Sequence, residues 1–324
     1  MNQDIHPILL ELQRNSQQLY GFELHSWTPV SLGWLNLKWR LITDRGEFLL
    51  KIYHAKRYKD VHVLTRALEQ QQRLHDFGVP CPELLTRDGE VLHGLDDEKF
   101  IIMQFYPGNR VKPQDINKLQ MYELGLITGK MHRILNDTAL GDDITPQFVP
   151  PSREERISHW HHVMEEATNN DMTHLQSRIE LQLKLTETLD IDFLDTTLTG
   201  WSHRDLWVDN LLFYENKVSA VLDFDRLNFD YPELDVARAI MSWALYNGDL
   251  RTDFVSAFLD GYRMEHNYHS GRLVNSLRML WYMESEWWIT ADMDDHNVVQ
   301  SRFAEEMIWL SQNDEQLPVV VGNL

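Results

Sequence analysis

The chain has 324 residues, of which 43% are hydrophobic and 11% aromatic, so it can bury a core and is not intrinsically disordered. Its 50 acidic residues outnumber its 30 basic residues and give a formal net charge of −20, which disfavours binding to nucleic acid phosphates. The single cysteine, Cys81, excludes an intramolecular disulfide framework. The N-terminus has no basic region, and no apolar run reaches the length of a membrane span. We therefore expect a soluble, cytoplasmic protein without a membrane or nucleic acid partner.

The first hundred residues have the pattern of a small antiparallel sheet with a helix. Two apolar runs, Leu35–Ile42 and Glu47–Tyr53, flank a turn and are predicted to be strands. The segment Tyr58–Asp76 has apolar residues near a helical period and is followed by glycine and proline. Lys51 lies near the end of the second strand, and Glu69 lies on the helix. Taken alone, both would be typical surface residues.

The charge distribution changes where a predicted strand, Phe100–Phe105, runs into Tyr106–Asn109. Residues 1–110 carry 13 basic and 14 acidic residues, whereas the remainder carries 17 basic and 36 acidic residues. The second part therefore holds a net charge of −19 and favours a cationic ligand. The alternative is that the surplus carboxylates only keep the protein in solution.

The pattern beyond residue 110 is mainly helical. Helices are predicted at Lys112–Asn136, Arg153–Ala167, Met172–Leu189, Pro232–Tyr246, Arg251–Met264, Gly271–Asp292 and Val298–Asn313. Two histidine-containing clusters, at residues 159–162 and 266–269, lack the spacing of metal ligands. We expect them to be surface or packing residues.

The segment Gly200–Asp225 carries the most specific pattern in the chain. It contains His203-Arg204-Asp205, then Asn210, and then Asp223-Phe224-Asp225 after an apolar run. This layout, H-R-D-x-x-x-x-N followed by D-F-x, is typical of phosphoryl transfer from ATP. One carboxylate accepts the proton of a hydroxyl, while an amide oxygen and a second carboxylate hold magnesium. A predicted hairpin between Asn210 and Asp223 would bring these groups together. The alternative is that the segment holds a buried histidine and two loop carboxylates with no catalytic role. That alternative would not require H-R-D, the asparagine and D-F-x to occur together at this spacing.

Four motifs resemble those of the aminoglycoside phosphotransferase and choline kinase family, the small-substrate branch of the protein-kinase-like fold. They are E-x-x-x-x-L-x-x-x-G-V-P-x-P at Glu69–Pro82, L-I-T-G-K-M-H at Leu126–His132, H-x-D-x-x-x-x-N from His203, and V-L-D-F-D ending at Asp225. The resemblance covers most of residues 20–265. It implies an α+β fold with two lobes: a small antiparallel-sheet N-lobe over residues 1–103, a hinge at 104–112, and a larger, mainly helical C-lobe over 113–324.

The resemblance also implies the cofactors ATP and Mg²⁺ and assigns roles at the catalytic segment. By position, Asp205 would be the catalytic base, with His203 as a supporting residue. Asn210 and Asp223 would bind magnesium. Asp235 matches a family aspartate that orients the catalytic loop through backbone hydrogen bonds.

Further residues are implied for the nucleotide. Lys51, paired with Glu69, would align the phosphates. The adenine would bond to backbone around Gln104 and Tyr106, between the two lobes.

Three positions depart from the family pattern. Most family members have glycine at position 204. Here the residue is Arg204, and arginine is also what protein kinases have at this position. The phosphate loop, near residues 29–36, is poor in glycine, so Ser31 and Asn36 are its candidate ligands and an ordinary hairpin turn is the alternative. Asp225 replaces the usual glycine of D-F-G and would contact either metal or the hairpin.

The motifs describe the phosphate donor and leave the acceptor open. We expect a small molecule with a hydroxyl group. Candidate contacts are the loop residues Asp142 and Asp143, and a helix on which Glu284 or Glu286 beside Trp288 would hold an ammonium group through ion pairing and cation–π contact.

Two alternatives remain. The first is a protein Ser/Thr kinase of the bacterial stress-response type, which Arg204 favours. Only eleven residues separate Asp223 from Asp235, however, which is short for a peptide platform. The second is a nucleotide-binding pseudokinase without turnover. The oligomeric state is not predicted.

Overall fold

The computed structural model describes residues 5–30, 36–54, 56, 58, 60–137 and 145–324. Their contacts divide the chain into two compact units. The first comprises Met1–Asn109 and Asn210–Leu227, and the second comprises Arg110–Asp209 and Asn228–Leu324.

The first unit is built on an antiparallel sheet, which in the described residues has five strands in the order β1-β2-β3-β5-β4. The strands are β1 (Leu24–Pro29), β2 (Leu37–Thr43), β3 (Gly46–Tyr53), β4 (His93–Leu95) and β5 (Glu98–Gln104). Helices α1 (Pro7–Tyr20) and α2 (Val61–Asp76) pack on this sheet. Antiparallel pairing throughout the sheet confirms the predicted fold class and excludes a doubly wound parallel sheet.

The two faces of the sheet are covered by different helices. Leu50 of β3 belongs to a buried cluster with Ile8 and Leu12 of α1, whereas Tyr53 belongs to a cluster with Leu64 of α2. Because side chains alternate along a strand, Lys51 shares the face of Tyr53. The lysine predicted to bind phosphate therefore lies on the α2 side of the sheet.

The hairpin after the predicted catalytic loop belongs to the first unit. It consists of β7 (Leu211–Tyr214) and β8 (Lys217–Val221). Phe213 and Asn109 exchange two backbone hydrogen bonds of 2.9 Å, and the Val221 amide donates to the Pro80 carbonyl at 2.7 Å. These bonds explain why residues 210–227 group with residues 1–109. The expected lobe boundaries at 103 and 112 stay a prediction.

The second unit is mainly helical. Its longer helices are α3 (Lys118–Leu135), α4 (Arg153–Asn169), α5 (Gln176–Thr188), α7 (Pro232–Ala244), α8 (Thr252–Arg263), α9 (Arg272–Trp288) and α10 (Val298–Asn313). Short elements are α6 (Phe193–Thr196), α11 (Leu317–Val320), the pair β6 (Gly200–Ser202) with β9 (Asn228–Asp230), and the pair β10 (Leu245–Tyr246) with β11 (Asp249–Leu250). No helix in the described ranges is both long and apolar enough to cross a membrane.

Helices α3 and α8 approach each other closely. A Cβ atom on Gly125 would lie 1.9 Å from the Phe258 carbonyl oxygen, and one on Gly261 would lie 2.0 Å from that of Tyr122. Only glycine allows this backbone contact. The start of α3 also differs from the prediction: it begins at Lys118 rather than at Lys112, because Asn117 caps it.

Candidate active site

Lys51 of β3 is buried between two carboxylates of the first unit. Its side chain is 2% exposed, and its Nζ lies 2.8 Å from Asp223 Oδ1 and 2.5 Å from Asp225 Oδ2. Burial alone lowers the pKa of Lys51, but Asp223 and Asp225 outweigh burial and raise it. The ammonium group is therefore charged and is held by the D-F-D segment.

Glu69 is not the partner of Lys51, so the predicted pairing is wrong. Glu69 is exposed, and the ion pairs of Lys51 are with Asp223 and Asp225. Helix α2 turns Leu64 and Leu68 inward, and Glu69 lies one residue, about 100°, further around the helix. The helical phase of the apolar residues in the sequence already indicated that Glu69 lies away from the buried face.

Asp225 accepts hydrogen bonds from four side chains. Its Oδ2 receives the Lys51 ammonium at 2.5 Å, the Tyr58 hydroxyl at 2.6 Å and the Asn36 amide at 3.3 Å. Its Oδ1 receives the Tyr53 hydroxyl at 3.0 Å. Asp225 therefore binds protein donors of the first unit. The sequence analysis did not identify Tyr53 or Tyr58. Because Lys51 and Tyr53 are two residues apart on one strand, they share a face, and this spacing could have indicated Tyr53.

Asp223 and Asn210 provide oxygen donors suited to magnesium. Asp223 has a left-handed backbone, with φ of 61°, and its carboxylate is 32% exposed. The Leu222 amide donates to the Asn210 carbonyl at 2.8 Å, which brings Asn210 beside the residue preceding Asp223. The described residues contain no cluster of three or more His, Cys, Asp or Glu that could hold a metal. Two donors suffice for magnesium, which keeps several waters and binds substrate phosphates.

The catalytic loop in the second unit is held by Asp235. The backbone amides of His203 and Arg204 donate to the two Asp235 carboxylate oxygens at 2.6 and 2.7 Å, as the family resemblance implied. His132 Nε2 lies 3.0 Å from Asp235 Oδ2. Burial raises the pKa of Asp235, but the His132 hydrogen bond and nearby histidines outweigh burial and lower it. The loop that carries Asp205 is thus fixed by a buried carboxylate.

His132 was missed as a positioning residue. Its ring is fully buried, with Nδ1 2.8 Å from the Tyr262 hydroxyl. Since it ends the motif L-I-T-G-K-M-H, the sequence contained a signal for it.

Arg204 turns its side chain into the interior of the second unit. Its Nε lies 2.9 Å from Asp230 Oδ2, and its Nη1 lies 4.0 Å from Glu284 Oε1. Burial raises the pKa of Asp230 to about 6, although Arg204 lowers it. The side chain at the position where most family members have glycine is therefore part of a buried ionic cluster.

Glu284 connects this cluster to the next arginine. Its carboxylate pairs with Arg238 of α7, which also pairs with Glu306 of α10 at 2.6 Å. Burial lowers the pKa of Arg238, but Glu284 and Glu306 outweigh burial and raise it, with a smaller contribution from Asp205. Asp205, the predicted catalytic base, therefore interacts electrostatically with a buried arginine that was not identified from the sequence.

Three acceptor residues suggested by the sequence, namely Glu284, Glu286 and Trp288, have protein partners instead. Glu284 pairs with Arg238, and Glu286 pairs with Arg156 at 2.5 Å. Trp288 packs against Phe303 with 4.7 Å between ring centroids. The suggestion that these carboxylates hold an ammonium group therefore disagrees with their positions, because both neutralise buried arginines.

The remaining predicted residues differ in what the structure shows of them. Asn36 contacts Asp225 and Tyr58. The backbone amide of Gln104 donates to the Glu83 carbonyl at 2.9 Å, so an adenine contact at Gln104 would use other backbone atoms. The adenine contacts at Gln104 and Tyr106 stay predictions. Ser31, Asp142 and Asp143 lie outside the described residues.

Sequence comparison identifies a family. Residues 26–274 match the model of the Phosphotransferase enzyme family. Homoserine kinase of Rhodospirillum rubrum is 27% identical over 224 residues, which cover 68% of this chain and 65% of that enzyme. Homoserine kinase of Rhodopseudomonas palustris is 27% identical over 249 residues, which cover 74% and 70%. The chain thus spans slightly less than two thirds of the R. rubrum enzyme.

Structural comparison agrees with this fold. Spectinomycin phosphotransferase in complex with ADP and spectinomycin has a TM-score of 0.61 at 14% identity, covering 96% of this chain and 95% of that chain. The microcompartment-associated aminopropanol kinase has a TM-score of 0.60 at 16% identity, covering 98% and 99%. At such identities the likeness establishes the fold alone. Because the family model spans well over half of the chain, the chain belongs to the Phosphotransferase enzyme family.

Proposed function

We propose that the protein is an ATP-dependent phosphotransferase that moves the γ-phosphoryl group of ATP to the hydroxyl of a small amino alcohol. The observation that supports ATP as the phosphate donor is the position of the Lys51 ammonium, which is buried beside the Asp223 and Asp225 carboxylates. A buried, charged lysine next to an acidic metal ligand is suited to bind phosphates. The family match supports phosphoryl transfer.

Each residue has a distinct role in this proposal. Asp205 would accept the proton of the acceptor hydroxyl, and Asp235 would keep its loop in place. Asn210 and Asp223 would hold Mg²⁺, which neutralises charge on the phosphates when bound. Lys51 would contact the phosphates. Positioning and charge neutralisation would supply most of the rate acceleration, since phosphoryl transfer needs little covalent help from protein.

The acceptor class is supported by the relatives and by charge. Homoserine kinases, named for an acceptor with both an amino and a hydroxyl group, are similar to this chain in sequence. The part of the chain after residue 110 holds a net charge of −19, which favours an acceptor with an ammonium group. Because Glu284 and Glu286 are paired with arginines, other carboxylates would bind that group.

Two other functions are less well supported. A protein kinase needs a peptide platform, but within the short segment between Asp223 and Asp235, β9 is already paired with β6. A pseudokinase would not require the full set of Lys51, Asp205, Asn210 and Asp223.

Labelled ATP and an acceptor panel test the proposal. The panel contains homoserine, aminopropanol, choline, an aminoglycoside, a neutral sugar and a basic protein, each with Mg²⁺. Transfer to an amino alcohol is expected. Label on the basic protein alone would contradict the small-molecule acceptor, and absence of both transfer and ATP hydrolysis would favour the pseudokinase.

A further inference from the structure

The partner of Lys51 must persist while the enzyme works. Under the proposed function, Asp223 holds magnesium, so it cannot also be the only anion that keeps the lysine in place. Lys51 is 2% exposed, and a buried ammonium group without a carboxylate is strongly destabilising. A second carboxylate on the same face of β3 would therefore hold the lysine until the nucleotide phosphates reach it.

Asp225 has the geometry of that second anion. It lies 2.5 Å from Lys51 Nζ, and its side chain is 7% exposed. A carboxylate offers about four lone-pair sites. Asp225 accepts from four groups, namely Lys51, Tyr53, Tyr58 and Asn36. Three of these donors share Oδ2 and one binds Oδ1, so the carboxylate is oriented toward the lysine and the tyrosines.

Helix α2 offers no competing anion at this point. Glu69 is exposed, and the contacts of α2 with the D-F-D turn include no ion pair to Lys51 among the described residues. Two tyrosines also stabilise the Asp225 carboxylate. The rings of Tyr53 and Tyr58 lie 4.8 Å apart, and both hydroxyls donate to Asp225.

We propose that Asp225 is the positioning residue that holds Lys51 ready for the nucleotide phosphates, in place of a glutamate on the neighbouring helix. This inference rests on the proposed function, in which Lys51 contacts phosphate. Asp225 acts through Lys51 and does not itself bind magnesium.

The test uses Asp225→Asn, which keeps the shape and removes the charge. Binding of ADP and ATP in excess Mg²⁺ is measured by calorimetry, and the Mg²⁺ concentration for half-maximal binding is titrated separately. Asp225→Asn is expected to weaken nucleotide binding about 10- to 100-fold, the value of a charge-assisted hydrogen bond. Its Mg²⁺ requirement should stay at the wild-type level, whereas Asp223→Asn should raise it. Glu69→Gln is the matched control and should bind nucleotide like wild type.

A double-variant cycle isolates the action through Lys51. If Asp225 works only by positioning the lysine, Lys51→Met/Asp225→Asn binds nucleotide no more weakly than Lys51→Met alone. Additive losses, or a Mg²⁺ requirement raised as far as in Asp223→Asn, would overturn the inference.

A second variant keeps the test valid if Asp225→Asn does not fold, as judged by thermal melting. Tyr58→Phe retains the charge and removes one donor, so a smaller loss of nucleotide affinity is expected, which disappears in the Lys51→Met background. An equal loss in both backgrounds would contradict the inference. Because these measurements need no acceptor, lack of phosphoryl transfer by the wild type would count against the proposed function alone.

Discussion

Arg204 and Asp230 form a buried ion pair, with 2.9 Å between the arginine Nε and the carboxylate Oδ2. The side chains are 4% and 0% exposed. Arg204 forms this pair from a left-handed backbone, with φ of 65°, a conformation that non-glycine residues adopt at some cost. The residue after the catalytic-loop histidine thus links that loop to β9.

The first prediction concerns this pair. Arg204→Gly suits the left-handed backbone and removes the guanidinium, which leaves Asp230 as an uncompensated buried charge. The free energy of unfolding of the variant should fall by about 3–5 kcal/mol, measured by urea denaturation. Arg204→Gly/Asp230→Asn should recover part of that loss. The control is Arg133→Ala, which breaks the exposed pair with Glu265 and should cost less than about 1 kcal/mol. Equal effects of both single substitutions would contradict the prediction.

The second prediction separates the proposed catalytic base, Asp205, from the proposed metal ligand, Asp223. Asp205→Asn should lower kcat by about 10²–10⁴ and leave nucleotide affinity nearly intact, because a general base acts only on the reacting proton. Asp223→Ala should abolish Mg²⁺-dependent nucleotide binding. Steady-state kinetics and calorimetry on both variants check this. Full turnover by Asp205→Asn would remove that residue from the mechanism.

The third prediction concerns the carboxylates of α9. Glu284→Gln should lower the free energy of unfolding by about 1.5–3 kcal/mol, since Arg238 loses one buried charged partner and keeps Glu306. Glu286→Gln should have a smaller effect, because that carboxylate is 32% exposed. Neither change should raise the acceptor KM selectively. A higher acceptor KM at unchanged stability would show instead that these carboxylates bind the acceptor.

The fourth prediction is a pH dependence of stability from His93. Burial lowers the pKa of His93 from 6.5 to about 4, although its hydrogen bond to the Leu85 carbonyl acts in the opposite direction. The folded state therefore favours the neutral ring, and its advantage is complete above pH 6.5 and lost as the pH falls toward 4. At pH 5 the loss amounts to about 2 kcal/mol relative to pH 7.

His93→Gln should remove this loss while its amide still donates to Leu85. Unfolding free energies of wild type and variant, compared at pH 7 and pH 5, isolate the His93 contribution. His25→Gln, which replaces an exposed histidine, is the control and should follow wild type. A variant that loses as much stability at pH 5 as wild type would refute the assignment.

The sequence by itself predicted the reaction class, phosphoryl transfer, and most of the helices and strands. Residues 203–225 lie close together along the chain, so their spacing alone indicated a catalytic loop followed by a hairpin. Apolar periodicity found the main helices, because a helix buries one face of a continuous segment. The fold class followed from the same motifs.

Only the tertiary structure decided which charges pair. Lys51 and Asp225 are 174 residues apart, and no local pattern relates them. Glu69 was chosen from its position along α2, yet a rotation of about 100° from the buried face places it in solvent. Glu284 and Glu286 looked available because their arginine partners, Arg238 and Arg156, lie on other helices. Ion pairs depend on distances of a few ångströms between elements, and such distances arise only when the helices and strands pack.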